Sequence, residues 1–273
     1  MNGRLSWFNA TSLALGFSFL YLPLLVMIVY SFNASEMVTV WAGFSTKWYV
    51  ALYNNQAYWN AAGVTIRVAF AASIIAVVLG TMAAFVNVRY RRFKGRSLFM
   101  GMVYAPLIMP EVISALALLL LFIAAGIERG MITVIIAHAT FSICFVTIIV
   151  SSRLATIDVS LEEAALDLGA SPLGAFMRVT LPIIAPAVIS GWFLSLALSL
   201  DNLVTSAFTT GPSASTLPML VYSQVRLGLS PQINALSSII IAVVLMGTII
   251  AALSNKRRTV KREAEIRKSE ATG

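Results

Sequence analysis

The sequence is short of charge, cysteine and histidine, and each shortage closes a class of function. Charged residues make up 11% of the 273 residues against 59% hydrophobic ones. Soluble domains carry about 25% charged residues, so a water-soluble globule is excluded. A single cysteine, Cys144, rules out an intrachain disulfide, and with one histidine, His138, it gives no metal-ligand cluster. No G-x-x-x-x-G-K-[ST] run occurs, so nucleotide phosphates are not cradled by that route. No serine motif of nucleophilic catalysis lies near His138 and no paired-aspartate motif occurs, which argues against an intramembrane protease and leaves no catalytic residue to assign. The halves show no clear self-similarity, which disfavours a stand-alone secondary transporter.

Long apolar runs are what the chain has. They fall at about 11–32, 64–88, 98–125, 131–151, 183–208 and 233–254, each long enough to cross a hydrocarbon core of about 30 Å. The expectation is an all-α membrane protein with six transmembrane helices in a single domain over 1–273. The first run exceeds the roughly 7–15 residues of a signal-peptide core and lacks a small-x-small cleavage site, so it reads as an uncleaved span, bent near Pro23. Pro106 and Pro110 interrupt the third, which is expected to be kinked or broken.

Six spans put both termini on one side, and the basic residues choose it. Of the 19 Lys and Arg, all but Lys47, Arg67, Arg129 and Arg226 fall on the side of the termini: Arg4, the run Arg89, Arg91, Arg92, Lys94 and Arg96, then Arg153 and Arg178, and the tail 255–273. That side is cytoplasmic. The same asymmetry accounts for the net charge of +8 without a nucleic-acid partner. The tail, with alternating basic and acidic residues, reads as a surface helix attracted to anionic lipid. Outside, residues 33–63 carry Trp41, Trp48, Tyr49, Tyr53, Tyr58 and Trp59, with Ser45 as a candidate cap for a short interfacial helix. They read either as an aromatic belt that fixes depth or as a contact surface for a partner. Residues 209–232 are a turn-rich outer loop.

The one long polar interruption with its own folding instructions is 160–186, SLEEAALDLGASPLGAFMRVTLPIIAP. Ser160 and Glu163 have the spacing of a capping box, Gly169 suits a left-handed helix stop, and Ser171 with Pro172 begins a second helix. Leu161, Ala164, Ala165 and Leu168 share a small apolar face that another protein's backbone can approach closely, with Glu162 and Asp167 off that face.

This stretch resembles the last cytoplasmic loop of the permease subunits of ATP-binding-cassette importers. Their pattern is E-A-A, three residues, G, nine residues, I-x-L-P, matched here by Glu163, Ala164, Ala165, Gly169, Val179, Leu181 and Pro182, with valine where isoleucine is usual. The resemblance implies a type I importer permease fold with a cytoplasmic helix-turn-helix coupling element at 159–182. Glu162, Glu163, Ala164, Ala165, Asp167, Gly169, Leu181 and Pro182 are then candidate ATPase-coupling residues. It implies a non-enzymatic chain that holds no cofactor itself, ATP and Mg being bound by two copies of a separate ATPase. An amphipathic loop lying on the bilayer is the alternative.

Charges inside a span cost about 2.5–3.5 kcal/mol on insertion scales, so Glu111 and Asp201 need a reason. On straight helices Glu111 lies roughly 20 Å and Asp201 roughly 26 Å from the inner edge, in the outer half of the membrane or at its outer mouth. Ser195, Ser199, Asn202 and Ser206 recur at spacings of four, three and four, giving the fifth span a polar face, with Asp201 at its edge and Thr205 one turn above Asp201. Such a face suits a hydrated path, or tight interhelical packing at Ser195 and Ser199. The candidate substrate path is Glu111, Asp201, Asn202, Thr205 and Ser206. Two acids attract a cationic solute and repel an anion, unless a salt bridge to Arg67 or to a partner subunit neutralises them. His138 reads as a satisfied core histidine or as a gate.

The stretches LSLDNLVTSAFTTGP, TLPMLVYSQVRLGLSPQINAL and YAPLIMPEVI resemble the polyamine branch of these permeases, the putrescine and spermidine type, over nearly the whole chain. Those relatives usually carry two consecutive aspartates where this chain has Asp201 and Asn202. The resemblance implies a bacterial inner-membrane heterodimer with a second six-span permease, two ATPase copies and a periplasmic polyamine-binding protein. A permease for another small cation, or a stand-alone transporter, is the alternative.

Overall fold

A computed structural model describes residues 6–272 except 38–39, 91, 213 and 229. Side chains are further described up to Lys256, apart from those of 251 and 254–255. Arg4 and Arg91 of the charge asymmetry, and the basic side chains of the tail beyond Lys256, therefore lie outside the described residues. The elements are helices: α1 Trp7–Ser31, α2 Lys47–Asn54, α3 Gln56–Arg89, α4 Arg96–Ile108, α5 Glu111–Ala124, α6 Met131–Leu154, α7 Ser160–Asp167, α8 Pro172–Ala175, α9 Leu181–Leu200, α10 Val204–Thr209, α11 Leu217–Leu227 and α12 Pro231–Thr272. Among the described residues five continuous helices are long and apolar enough to cross a membrane, and α4 with α5 makes a sixth if the bent pair is one span.

The chain groups into two compact units, one of Met1–Gln56 with Gln224–Gly273 and one of Ala57–Ser223. In the first, α12 packs on both α1 and α2. Buried Asn33 organises the loop between α1 and α2: its amide donates to Val40 O at 2.7 Å and accepts from Ser35 N and Ala42 N. The Trp48 indole donates to Asn33 O at 2.7 Å, and the Tyr49 hydroxyl meets Ser31 Oγ at 2.7 Å. Two of the aromatic residues thus hold up their own loop. Ser45 Oγ accepts the N–H of Lys47, the first residue of α2. The tail is helical, as a continuation of α12 through Thr272.

In the second unit α3, α6 and α9 form the core. Val146 and Val150 of α6 pack with Ala76 and Ala84 of α3 and Ile184 of α9, all fully buried. The approach is close because of glycine. A Cβ at Gly80 would sit 2.8 Å from Val146, and one at Gly191 3.4 Å from it. Small residues of this kind let helix backbones meet in a bilayer, where van der Waals contact drives packing.

Two of the expected spans are broken. The run 98–125 divides into α4 and α5, bent by 118°. Pro110 has no N–H to continue the helix, and it forces Met109 into an extended conformation, φ −80° and ψ 141°. Pro106, by contrast, is tolerated inside α4. The run 183–208 stops at Leu200 and restarts at Val204. There the Asn202 side chain accepts the Thr205 N–H at 2.9 Å, a local bond that competes with the helical one. The depth counted for Glu111 runs through the break at Met109–Pro110 and does not hold, whereas the helix below Asp201 is continuous from Pro172 to Leu200.

Residues 160–200 hold a helix-turn-helix whose second arm runs into the fifth span. Gly169 takes φ +87°, as its place after α7 requires. Ser171 Oγ accepts the Gly174 N–H at 3.1 Å, with Pro172 opening the next helix. From Pro172 the helix is continuous to Leu200, through a π turn at Phe176–Thr180. The Ser160–Glu163 capping box does not form: Ser160 is already helical, and Asp158 Oδ1 takes its N–H at 3.0 Å. A shorter reach, two residues rather than three, decides in favour of the aspartate.

Candidate transport site

The two helix breaks meet. α5 packs on α10, and Thr205 Oγ1 donates to Glu111 Oε1 at 3.0 Å. Non-helical backbone at membrane depth is tolerated where protein or a water-filled cavity surrounds it. A cavity of about 220 Å³ opens beside this contact, lined by Met102 and Ala105 of α4, Met109 in the break, Ser114 and Leu118 of α5, Phe141 of α6, and Thr205.

The two acids occupy opposite helix ends. Glu111 is the first residue of α5, where the partial positive charge of the helix start favours a carboxylate. Asp201 follows the last residue of α9, where the carbonyl end is already partly negative, and it is exposed. Among the described residues neither acid has an ion-pair partner. The Arg67 Nε instead donates to Gly63 O on its own helix at 3.0 Å. What the break presents is two carboxylates with no ion-pair partner among the described residues.

The four polar residues lie on both sides of the break, Ser195 and Ser199 on α9, Asn202 in the break and Ser206 on α10. All four are turned against protein, although Ser195 Oγ has no hydrogen-bond partner among the described residues. Ser195 and Ser206 are fully buried, Ser199 and Asn202 nearly so. The partner is His138 on α6, 1% exposed, whose Nδ1 meets Ser199 Oγ at 2.7 Å and whose Nε2 meets Ser206 Oγ at 2.9 Å. Ser206 Oγ donates to Asn202 O, so it accepts from Nε2–H, while Nδ1 meets the Ser199 hydroxyl, which can donate or accept. His138 thus bridges the break from α9 to α10 as a satisfied core residue. Thr209, fully buried, closes α10 onto α6 through the Thr133 hydroxyl, which donates to Thr209 O at 2.7 Å.

At the other end of the core, the residues of the coupling motif divide by direction. Glu163, Ala164, Asp167 and Gly169 are exposed, as are Leu161 and Leu168, while Ala165 is half-buried. Leu181 packs against the α3–α6–α9 core, and Pro182 is exposed in the first turn of α9. Glu162 turns inward. Its Oε1 accepts from Arg89 Nη2 at 2.8 Å, Arg89 Nε at 3.0 Å and Thr180 Oγ1 at 2.8 Å. Arg89 and Thr180 were not legible as site residues. In the sequence Arg89 is legible only as a topological charge, and the one available signal, Glu162 lying off the apolar face of α7 together with Asp167, names no partner.

Residues 76–259 match the family model described as the binding-protein-dependent transport system inner membrane component. The chain is 51% identical over 238 residues to the putrescine transport system permease protein PotI of Escherichia coli, covering 85% of each. It is 39% identical over 243 residues to the spermidine/putrescine transport system permease protein PotC of the same species, covering 89% of this chain and 92% of that one. Among solved structures, a bacterial ABC transporter that imports the acidic polysaccharide alginate contains a chain of the same fold, with TM-score 0.71 and 16% identity over 90% of this chain and 94% of that one. The MetNI methionine ABC transporter is similar at TM-score 0.56 and 16% identity, over 72% of this chain and 91% of that one.

Proposed function

Because the chain belongs to the inner membrane components of binding-protein-dependent transport systems, we propose that it is the permease for a polyamine, putrescine first, in a bacterial ABC importer. The observation that carries the substrate is its 51% identity to a putrescine permease across 85% of both chains. The break geometry supports a cation. A polyamine ammonium group finds the Asp201 carboxylate and the carbonyl end of α9 together, an arrangement by which half-helix C-termini coordinate cations. Glu111 supplies the second charge. Thr205, Asn202 and Ser206 hold the break in shape.

The chain is multi-pass and pairs with a second permease of six spans, and both termini face the cytoplasm. A periplasmic binding protein delivers the solute. Two ATPase subunits, which bind ATP and Mg, dock on the exposed face of α7, so this chain performs no hydrolysis. ATP-driven closure displaces α7, and the continuous helix from Pro172 to Leu200 carries the displacement to the break at Asp201.

The test is uptake of labelled putrescine by cells lacking the chain and by cells with it restored, with unlabelled spermidine and an amino acid as competitors. Uptake that returns only with the chain, and that polyamines alone suppress, is the expected result. Uptake indifferent to the chain overturns the putrescine assignment.

A further inference from the structure

α7 is joined covalently to two of the three core helices, to α6 through 155–159 and to α9 through 168–180. It has no such link to α3. Yet α3 shares the core, with Gly80 pressed on Val146 of α6 and Thr147 Oγ1 donating to Gly80 O at 3.3 Å. If α7 moved and the end of α3 stayed, that packing would shear. Two contacts prevent this. The Arg89 guanidinium, last residue of α3, grips the Glu162 carboxylate of α7 through Nε and Nη2, and the Phe85 ring meets Phe176 of the π turn edge-on at 5.0 Å between centroids.

The pair is not an ordinary surface bridge. Its side chains are 10% and 14% exposed. Exposed ion pairs contribute little, but a desolvated, two-point guanidinium–carboxylate contact is strong and directional. Thr180 adds a third donor to the same carboxylate at 2.8 Å, from the last residue of the π turn. One carboxylate therefore gathers α7, the start of α9 and the end of α3.

We infer that Arg89 is a positioning residue for energy coupling: its contact with Glu162 makes α3 move with α7, so that α3, α6 and α9 turn as one body when the docked ATPase closes. This rests on the reading of α7 as the ATPase-docking helix. Glu162 acts inside the chain, whereas the exposed Glu163 faces the partner.

The experiment uses the assembled importer with its second permease, ATPase and binding protein. Glu162→Gln keeps the shape and the Thr180 bond but removes the charge, and Arg89→Lys keeps the charge but removes the fork. Each is expected to raise the ATP hydrolysed per putrescine imported by about tenfold, with assembly retained. The exchange Arg89→Glu with Glu162→Arg is expected to bring that ratio most of the way back. A fall of hydrolysis and uptake in parallel, with the ratio unchanged, would overturn the inference and leave the pair as a stabilising contact only.

A second readout does not depend on which solute is carried. Spin labels at Tyr90 and Asp167, in a Cys144→Ala chain, are expected to keep one separation in the nucleotide-free and vanadate-trapped importer, and to change separation between those states once Glu162→Gln is added. A nucleotide-dependent change without that substitution, or none in either chain, overturns it. Absence of putrescine uptake by the unmodified importer would count against the substrate reading alone, since the label separations still decide the role of Arg89.

Discussion

The α7 end and the α10 end of the second unit solve the same problem, holding helices together without water, with opposite chemistry. At the α7 end a guanidinium and a carboxylate meet directly, joined by a hydroxyl. At the α10 end an imidazole, two serines and an amide hold the break without an ion pair among the described residues, and Glu111 and Asp201 sit at the helix ends that meet there. An unpaired charge deep in protein is costly, whereas a satisfied neutral network is not. A network built from hydroxyls, an amide and an imidazole leaves the two carboxylates outside any ion pair among the described residues. The α7 end joins the continuous helix Pro172–Leu200 to α3 and α7 through a strong contact, suited to carrying displacement. The α10 end is built from breaks, suited to changing shape.

The largest expected effect comes from blocking the α7 end. Gly169→Asp places a side chain at φ +87°, a left-handed conformation that costs roughly 1–2 kcal/mol in an L-residue, and adds charge to the docking face. Loss of ATPase co-purification and of uptake together is expected; an ATPase bound and coupled as before would contradict the docking assignment. Next is Asp201→Asn, which removes charge at the α10 end while keeping shape. Uptake at equal expression should fall about tenfold, equivalent to about 1.4 kcal/mol, with assembly intact, and unchanged uptake would take Asp201 off the path.

A smaller effect is expected at the splint. His138→Leu leaves the Ser199 and Ser206 hydroxyls without their partner and should cost about 2 kcal/mol of stability, read as a lower unfolding temperature of the purified importer. His138→Gln, which can still donate to Ser206, should cost less; equal losses would mean that volume rather than hydrogen bonding matters there.

The smallest effect is at Asp158. The Ser160 N–H holds its carboxyl below the usual carboxylate range. Its contribution is therefore present above the unfolded value, near about 3.9, and disappears as pH falls through the lower folded value. Uptake by Asp158→Asn should match the unmodified chain between about pH 6 and 8, both far above that window. A pH-dependent deficit in that range would give Asp158 a role beyond its turn.

Local rules made the helix-turn-helix readable. The Gly169 stop and the Ser171–Pro172 start each depend on residues within a few positions of one another, and both are where the pattern put them. The capping box failed by the same local competition, because Asp158 was nearer to the Ser160 amide than the rule allowed for. The serine stripe of α9 was legible as a face, since 3.6 residues per turn dictates it. What it faces was not: His138 is 61 and 68 positions from the serines it joins. Arg89 and Glu162 are 73 positions apart, and neither residue's neighbours point to the other.

By itself the sequence determined the apolar solvent, the helical class, the helix-turn-helix after Ser160 and the kinship, because apolar run length and turn chemistry act over short stretches of chain. Only the tertiary structure decided that the third span folds back at Pro110, that the fifth breaks at Asn202, and that Glu111 meets Thr205 where the breaks cross. Proline and asparagine permit a break without requiring one. Whether a helix continues through them depends on the hydrogen bonds and packing that distant segments offer in exchange, and those exist only once the chain has folded.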